Sequence, residues 1–202
     1  MADNDDKFAI WPPYEAFYIQ AMLFNARAAL ASIGEANQIL ETIPKNKRVE
    51  TDPDIDSEAL LSSLQNIVIH GAALSRYFWP ARSGYERRAE FLKSALQVTE
   101  DSPLKSRDLR NQIEHFDEKL DAYVSDGISG NVFPAYVGRL PIGDIPLHMF
   151  RAYYVDVGIF EMLGKRYDVF SLANEIARIH DLLESFDANG GRLRTGANVD
   201  NH

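Results

Sequence analysis

One ten-residue stretch gathers the groups that chemistry on a phosphodiester needs: Leu109-Arg110-Asn111-Gln112-Ile113-Glu114-His115-Phe116-Asp117-Glu118. Arg110 carries a permanently charged guanidinium, which neutralises the charge that builds on phosphate oxygens in a transition state. His115 carries an imidazole with a pKa of about 6.5, able to take or give a proton at neutral pH. The Asn111 amide can orient that imidazole or a ribose hydroxyl. RNA brings its own nucleophile, the 2′-hydroxyl, so this kit needs neither a Ser nor a Cys. On a helix, Asn111 and His115 are four apart and share a face. Arg110 and His115 lie about 7.5 Å apart along the axis and roughly 140° around it. They either flank one groove or combine with a partner's copies across a two-fold axis. The structural alternative is plain: Arg110 and Glu114 form an i,i+4 pair worth about 0.2–0.5 kcal/mol. His115, next to Phe116, would then bond an acid at a helix–helix contact.

The elements that must position these residues read as helices. Phe8 to Trp11 is a short strand or extended arm, stopped by Pro12-Pro13. A helix follows from Tyr14 to about Ile43, with Phe17, Ala21, Phe24, Ala28 and Ala31 on its inward face by their spacing of threes and fours. A second runs from about Ile55 to Phe78, with Leu60, Leu61, Leu64, Ile67, Val68 and Leu74 inward. A shorter one spans Glu86 to Val98. The third long helix starts at the cap Ser102 with Pro103 in its first turn, and ends at Gly127. Its apolar face is Leu109, Ile113, Phe116, Leu120 and Val124, and it carries the Arg110–His115 stretch. Residues 127–146 read as Gly and Pro turns. Residues 149–163 read as a β-hairpin turning at Asp156-Val157-Gly158, with Tyr153 and Tyr154 on opposite faces. Asp168 caps a last helix, with Leu172, Ile176, Ile179, Leu183 and Phe186 inward. The expected fold is therefore mainly α: a four- to five-helix bundle with a small β-hairpin before the last helix. Residues 1–189 form one domain, with the hairpin as an appendage, and 190–202 are a polar, frayed tail.

Composition narrows the function. The 202 residues carry 30 acids against 21 Lys and Arg, a formal charge of −9, which argues against a broad surface for duplex DNA. The absence of Cys excludes disulfides, thiolate zinc sites and a Cys nucleophile. The acidic N-terminus has no apolar region behind it, and no apolar run reaches the roughly 18 residues of a membrane span. A soluble, cytoplasmic protein without membrane contact is expected. There is no Walker A, no G-x-G-x-x-G, no G-x-S-x-G and no Glu-x-x-His. No metal and no cofactor is expected.

Arg110-Asn111, three further residues and His115 resemble the R-x4-6-H motif of the HEPN superfamily (higher eukaryotes and prokaryotes nucleotide-binding). In that family a polar residue, often Asn, follows the Arg, and the motif lies near the start of a long helix in a four- or five-helix bundle. The resemblance implies a metal-independent endoribonuclease in a toxin or defence setting. Its active site would be assembled at a homodimer interface from Arg110, Asn111 and His115 of both copies, with a cognate antitoxin or other protein as a further partner. Glu114, Arg107 and Lys105 are the candidate substrate-binding residues. Some HEPN toxins carry a Tyr two residues after the His, where a partner enzyme modifies them; that position is Asp117 here.

Glu114, Asp117, Glu118 and Asp121 would repel a phosphate backbone, so RNA binding must also draw on Arg82, Arg87, Arg88, Lys105 or Arg107. The alternative is a HEPN-like module that binds a nucleotide or a protein without turnover. A third reading is a structural helical interaction protein. His70, beside Gly71, Ala72 and Ala73, reads as a core or interface histidine at a close helix crossing. Tyr77, Phe78, Trp79 and Tyr85 read as the closed end of the bundle, or as a base-stacking set.

Overall fold

The computed structural model describes residues 10–43, 56–106, 108, 116–127, 130–142 and 147–194. Within them lie five α-helices: α1 (Glu15–Thr42), α2 (Ser57–Phe78), α3 (Glu86–Leu96), α4 (Phe116–Ser125) and α5 (Val169–Ala188). Four strands complete the set: β1 (Asn131–Gly138), β2 (Leu147–Tyr154), β3 (Ile159–Met162) and β4 (Lys165–Asp168). The strands form one sheet in the order β1-β2-β3-β4, with β1 and β2 parallel and the other pairs antiparallel. The expected mainly α bundle with a hairpin appendage is therefore corrected. The molecule is mixed α/β, and the pair β2–β3 at the expected hairpin is the middle of a four-stranded mixed sheet.

Two sequence features hid the outer strands. Pro134 sits in the middle of β1, and a proline reads as a turn signal. It is tolerated because β1 is an edge strand, where a missing N–H costs no ladder bond; the register pairs Phe133 with Met149 and Ala135 with Arg151 on either side of it. Between β3 and β4 the turn is Leu163-Gly164, both with positive φ (49° and 73°), which matches the twist of a tight hairpin. Leucine is a poor turn residue. Its left-handed backbone is held here by burial in the main core and by its N–H, which donates to the Phe150 carbonyl at 3.0 Å.

α1, α2 and α5 pack on one another, and α2 also meets α3, β1 and β2. One core joins Leu60, Leu64, Ile67 and Val68 of α2 to Leu172, Ile176, Ile179 and Leu183 of α5, and reaches Tyr153 and Phe160 of the sheet. Tyr154 instead belongs to a second cluster with Met149 and Ala152, so the two adjacent tyrosines do serve different faces. α5 starts where expected: the Asp168 carboxylate accepts from the Ser171 N–H at 3.0 Å. Asp56 does the same for α2 through the Ala59 N–H.

Four further expectations are corrected. α1 buries Ile19, Met22, Leu23, Ala26 and Ala29, whereas Phe17 and Phe24 of the expected inward face are 71% and 72% exposed. The helix expected to run unbroken from Ser102 does not: Ser102 caps a 3-10 turn at Pro103–Lys105, and Ser106 is extended, which interrupts any helix there. In α4, Leu120 and Val124 of the expected inward face are exposed; the expected inward residues Leu109 and Ile113 lie outside the described residues. Finally, Gly191–Leu193, assigned to the tail by sequence, dock on the start of α1: Leu193 is buried, and Arg192 is bound to Glu15.

Candidate functional site

Arg107, Arg110, Asn111, Glu114 and His115 lie outside the described residues. The residues on either side of that stretch are described, and both ends rest on the sheet. At one end, the Asp108 carboxylate is 3.6 Å from Lys165 Nζ of β4. Burial, and then the Asp108 charge, push the Tyr167 phenol well above its usual range. At the other end, Phe116 meets Phe150 of β2 edge-on at 6.1 Å. Two turns on, Tyr123 meets His148 at 5.9 Å, and its ring lies 3.4 Å from where a Cβ on Gly164 would be. The described residues that flank the candidate kit thus contact β4 on one side and β2 on the other.

Phe150 leads directly to a cation that sequence reasoning did not pick out. The Arg151 guanidinium lies 5.2 Å from the Phe150 ring centroid, and its side chain is only 14% exposed. Its Nη2 donates to Glu58 Oε1 at 2.6 Å, and its Nη1 approaches Gln65 Oε1 at 3.4 Å and Ser62 Oγ at 3.5 Å. The Nε is buried with no hydrogen-bond partner. The available signal was an Arg inside the strand-forming run Phe150-Arg151-Ala152-Tyr153, where a charge must find a partner. A second cluster missed in the sequence is Glu161, almost fully buried. It accepts from the Tyr154 hydroxyl at 3.1 Å and from Arg166 Nε at 2.8 Å.

Lys105, a candidate substrate contact, is engaged by Glu100 at 2.8 Å. Lys93 holds the other oxygen of the same carboxylate at 2.8 Å. The hydrogen bonds from Lys105 and then Lys93 bring Glu100 down to about 2. The Lys105–Glu100 pair is solvent-exposed, and such pairs contribute little, so an incoming phosphate can compete for Lys105. Of the other cations named by sequence, Arg82 is exposed. Arg88 is committed to the protein: it lies over the Tyr85 ring at 5.0 Å and donates to the Arg76 carbonyl. Phe78 is buried against Trp79, Lys93 covers the Trp79 ring, and Tyr77 stacks edge-on with Tyr18. These rings form a closed end of the helical layer rather than an open stacking platform.

His70 Nδ1 is 3.3 Å from Asn25 Oδ1 of α1, and burial lowers its pKa. The neighbouring Gly71 lets α5 approach: a Cβ there would stand 3.2 Å from Leu172. On α4, Asp117, Glu118 and Asp121 are exposed beside the one cation, Lys119. Among the described residues, no three His, Asp or Glu side chains gather as metal ligands, and no helix is long and apolar enough to cross a membrane. Comparison with protein-family models, with characterised proteins and with solved structures gives no match to this chain.

Proposed function

We propose that this chain is a metal-independent endoribonuclease with HEPN-like chemistry, acting as a cytoplasmic homodimer. The observation that carries the reading is the kit Arg110, Asn111 and His115 within six residues. Its described flanks contact the sheet: Asp108 reaches Lys165 of β4 and Phe116 meets Phe150 of β2. The sheet is no part of what the HEPN resemblance implies, so the reading stands on the residues and not on the fold. In the proposed reaction His115 takes the proton of a ribose 2′-hydroxyl, whose oxygen attacks the adjacent phosphorus. The bond from phosphorus to the 5′-oxygen breaks, and that oxygen leaves with a proton supplied by an imidazolium. Arg110 balances the charge on the non-bridging oxygens, and Asn111 orients the imidazole or the ribose. The products are a 2′,3′-cyclic phosphate and a 5′-hydroxyl. The test is incubation of wild-type, Arg110→Ala and His115→Ala protein with mixed cellular RNA in EDTA. Cleavage is expected from wild type and from neither variant.

The exposed carboxylates of α4 and the engagement of Lys105 by Glu100 favour a second reading, a module that binds a nucleotide or a protein without turnover. It predicts saturable binding of a labelled nucleotide or oligonucleotide with no new RNA ends.

A further inference from the structure

The apolar stripe of α1 that the sequence assigns to the core faces outward, and nothing among the described residues covers it. Tyr14, Phe17, Ala21, Phe24, Ala28 and Ala31 follow one another at three, four, three, four and three residues, the spacing of a two-helix seam. Trp11, Tyr14, Phe17 and Phe24 are 63%, 55%, 71% and 72% exposed. We propose that this face pairs antiparallel with the same face of a second copy of the chain.

Three observations select a second copy as the occupant. First, the stripe is complementary to itself. An antiparallel seam sets a-type positions opposite d-type positions. With the two-fold axis between Ala21 and Phe24, Tyr14 falls opposite the partner's Ala31, Phe17 opposite the partner's Ala28, and Phe24 opposite the partner's Ala21. Every large ring meets a small residue. In the same register Trp11, just ahead of the helix, falls opposite the partner's Gly34. That explains a glycine which nothing among the described residues requires: it lies inside a helix, where glycine is unfavourable, and a Cβ there would meet none of them within 4 Å. Second, the face is nearly free of charge in a chain of formal charge −9. From Ala16 to Gly34 the single charged residue is Arg27, and Glu184 of the same chain neutralises it at 2.7 Å. Two copies therefore meet here without the repulsion that the rest of the surface imposes. Third, the area suffices. At about 150–250 Å² per aromatic side chain, the four exposed rings leave about 500 Å² per chain. Two copies then remove on the order of 1,000 Å² before the alanines and the rim are counted, which reaches the size of a specific interface.

This inference does not rest on RNA cleavage, although the proposed function also calls for a homodimer, and it is read by mass rather than by RNA ends. Light scattering on the full chain at micromolar concentration should give the mass of two chains. Phe17→Asp/Phe24→Asp should give one chain with an unchanged far-UV spectrum, and a dissociation constant raised about a hundredfold or more. The chain has no cysteine of its own, so orientation can be read directly. A mixture of Phe17→Cys and Ala28→Cys chains should cross-link on oxidation, and Phe17→Cys alone should not. A monomeric wild type, whether its stripe is covered by the chain's own termini or awaits a different protein, overturns the proposal. So does a dimer that survives both aspartates, or efficient cross-linking of Phe17→Cys alone, which marks a parallel pair.

Discussion

Glu15 opens α1 and is 3% exposed, yet it is a carboxylate. Its Oε2 accepts from the Leu193 N–H at 2.7 Å and from Arg192 Nε at 3.0 Å. Gly191, with φ of 68°, brings the C-terminal segment close enough that a Cβ there would stand 3.2 Å from Ala16. The two partners are unequal. Arg192 is more than half exposed, and an exposed ion pair contributes about 0.2–1 kcal/mol. The charge at the first turn of α1 adds about 0.3–1 kcal/mol through the helix dipole. The Leu193 N–H is buried, and leaving it without an acceptor costs about 1–3 kcal/mol. Glu15→Gln keeps an acceptor for Leu193 and should cost about 1 kcal/mol. Glu15→Ala loses everything and should cost about 3 kcal/mol, while Arg192→Ala should cost about 0.5 kcal/mol. At roughly 2–4 °C per kcal/mol for a chain of this size, Glu15→Ala should melt about 6–12 °C lower. Urea titrations at pH 7, followed by circular dichroism, read all three. An Arg192→Ala loss equal to that of Glu15→Ala would place the energy in the ion pair and refute the argument.

The two glycines inside long helices should respond oppositely. Gly71→Val should cost about 1–3 kcal/mol by forcing Leu172 aside, whereas Gly34→Ala in the Phe17→Asp/Phe24→Asp background should gain about 0.5–1 kcal/mol in urea titrations. Burial raises the pKa of Glu175, but Arg178 and Ser102 outweigh it and the net shift is downward. Its stabilisation is thus present above the unfolded carboxylate value and lost as pH falls through the lower folded value. The stability gap between wild type and Glu175→Gln, measured by denaturant titration, should be widest near pH 7 and close in acid. Burial and then Glu161 push the Tyr154 phenol up to about 12. Below pH 10 its contribution is intact, and it is lost as pH rises from 10 through 12. Tyr154→Phe should flatten the alkaline fall in stability, seen in thermal melts from pH 9 to 12.

The parts of the fold that the sequence made legible are those specified locally. The α5 apolar face and its Asp168 cap lie within twenty-one residues and depend on nothing distant. α1 was legible as a helix but not in its orientation, because it carries apolar residues on two faces. Ile19, Met22, Leu23 and Ala26 meet α2 and α5, while the larger Phe17 and Phe24 take the outside. Spacing alone does not say which of the two faces turns inward. β1 and β4 escaped because Pro134 and the Leu163-Gly164 turn carry local signals opposed to the tertiary outcome, and the sheet wins by burying Tyr167, Leu163 and Val137. The surroundings of the candidate site were illegible for the same reason. The contacts of Asp108 with Lys165 and of Phe116 with Phe150 join residues more than thirty positions apart, and no spacing rule within one helix reports them.

The proposed function assigns RNA cleavage to Arg110, Asn111 and His115. The most direct measurement maps the termini of a defined single-stranded RNA after incubation with the full chain in EDTA, beside His115→Ala protein of matched fold and mass. Wild type alone should leave 2′,3′-cyclic phosphate and 5′-hydroxyl ends. Intact RNA with the folded wild type across several sequences, or equal cleavage by His115→Ala, would contradict it.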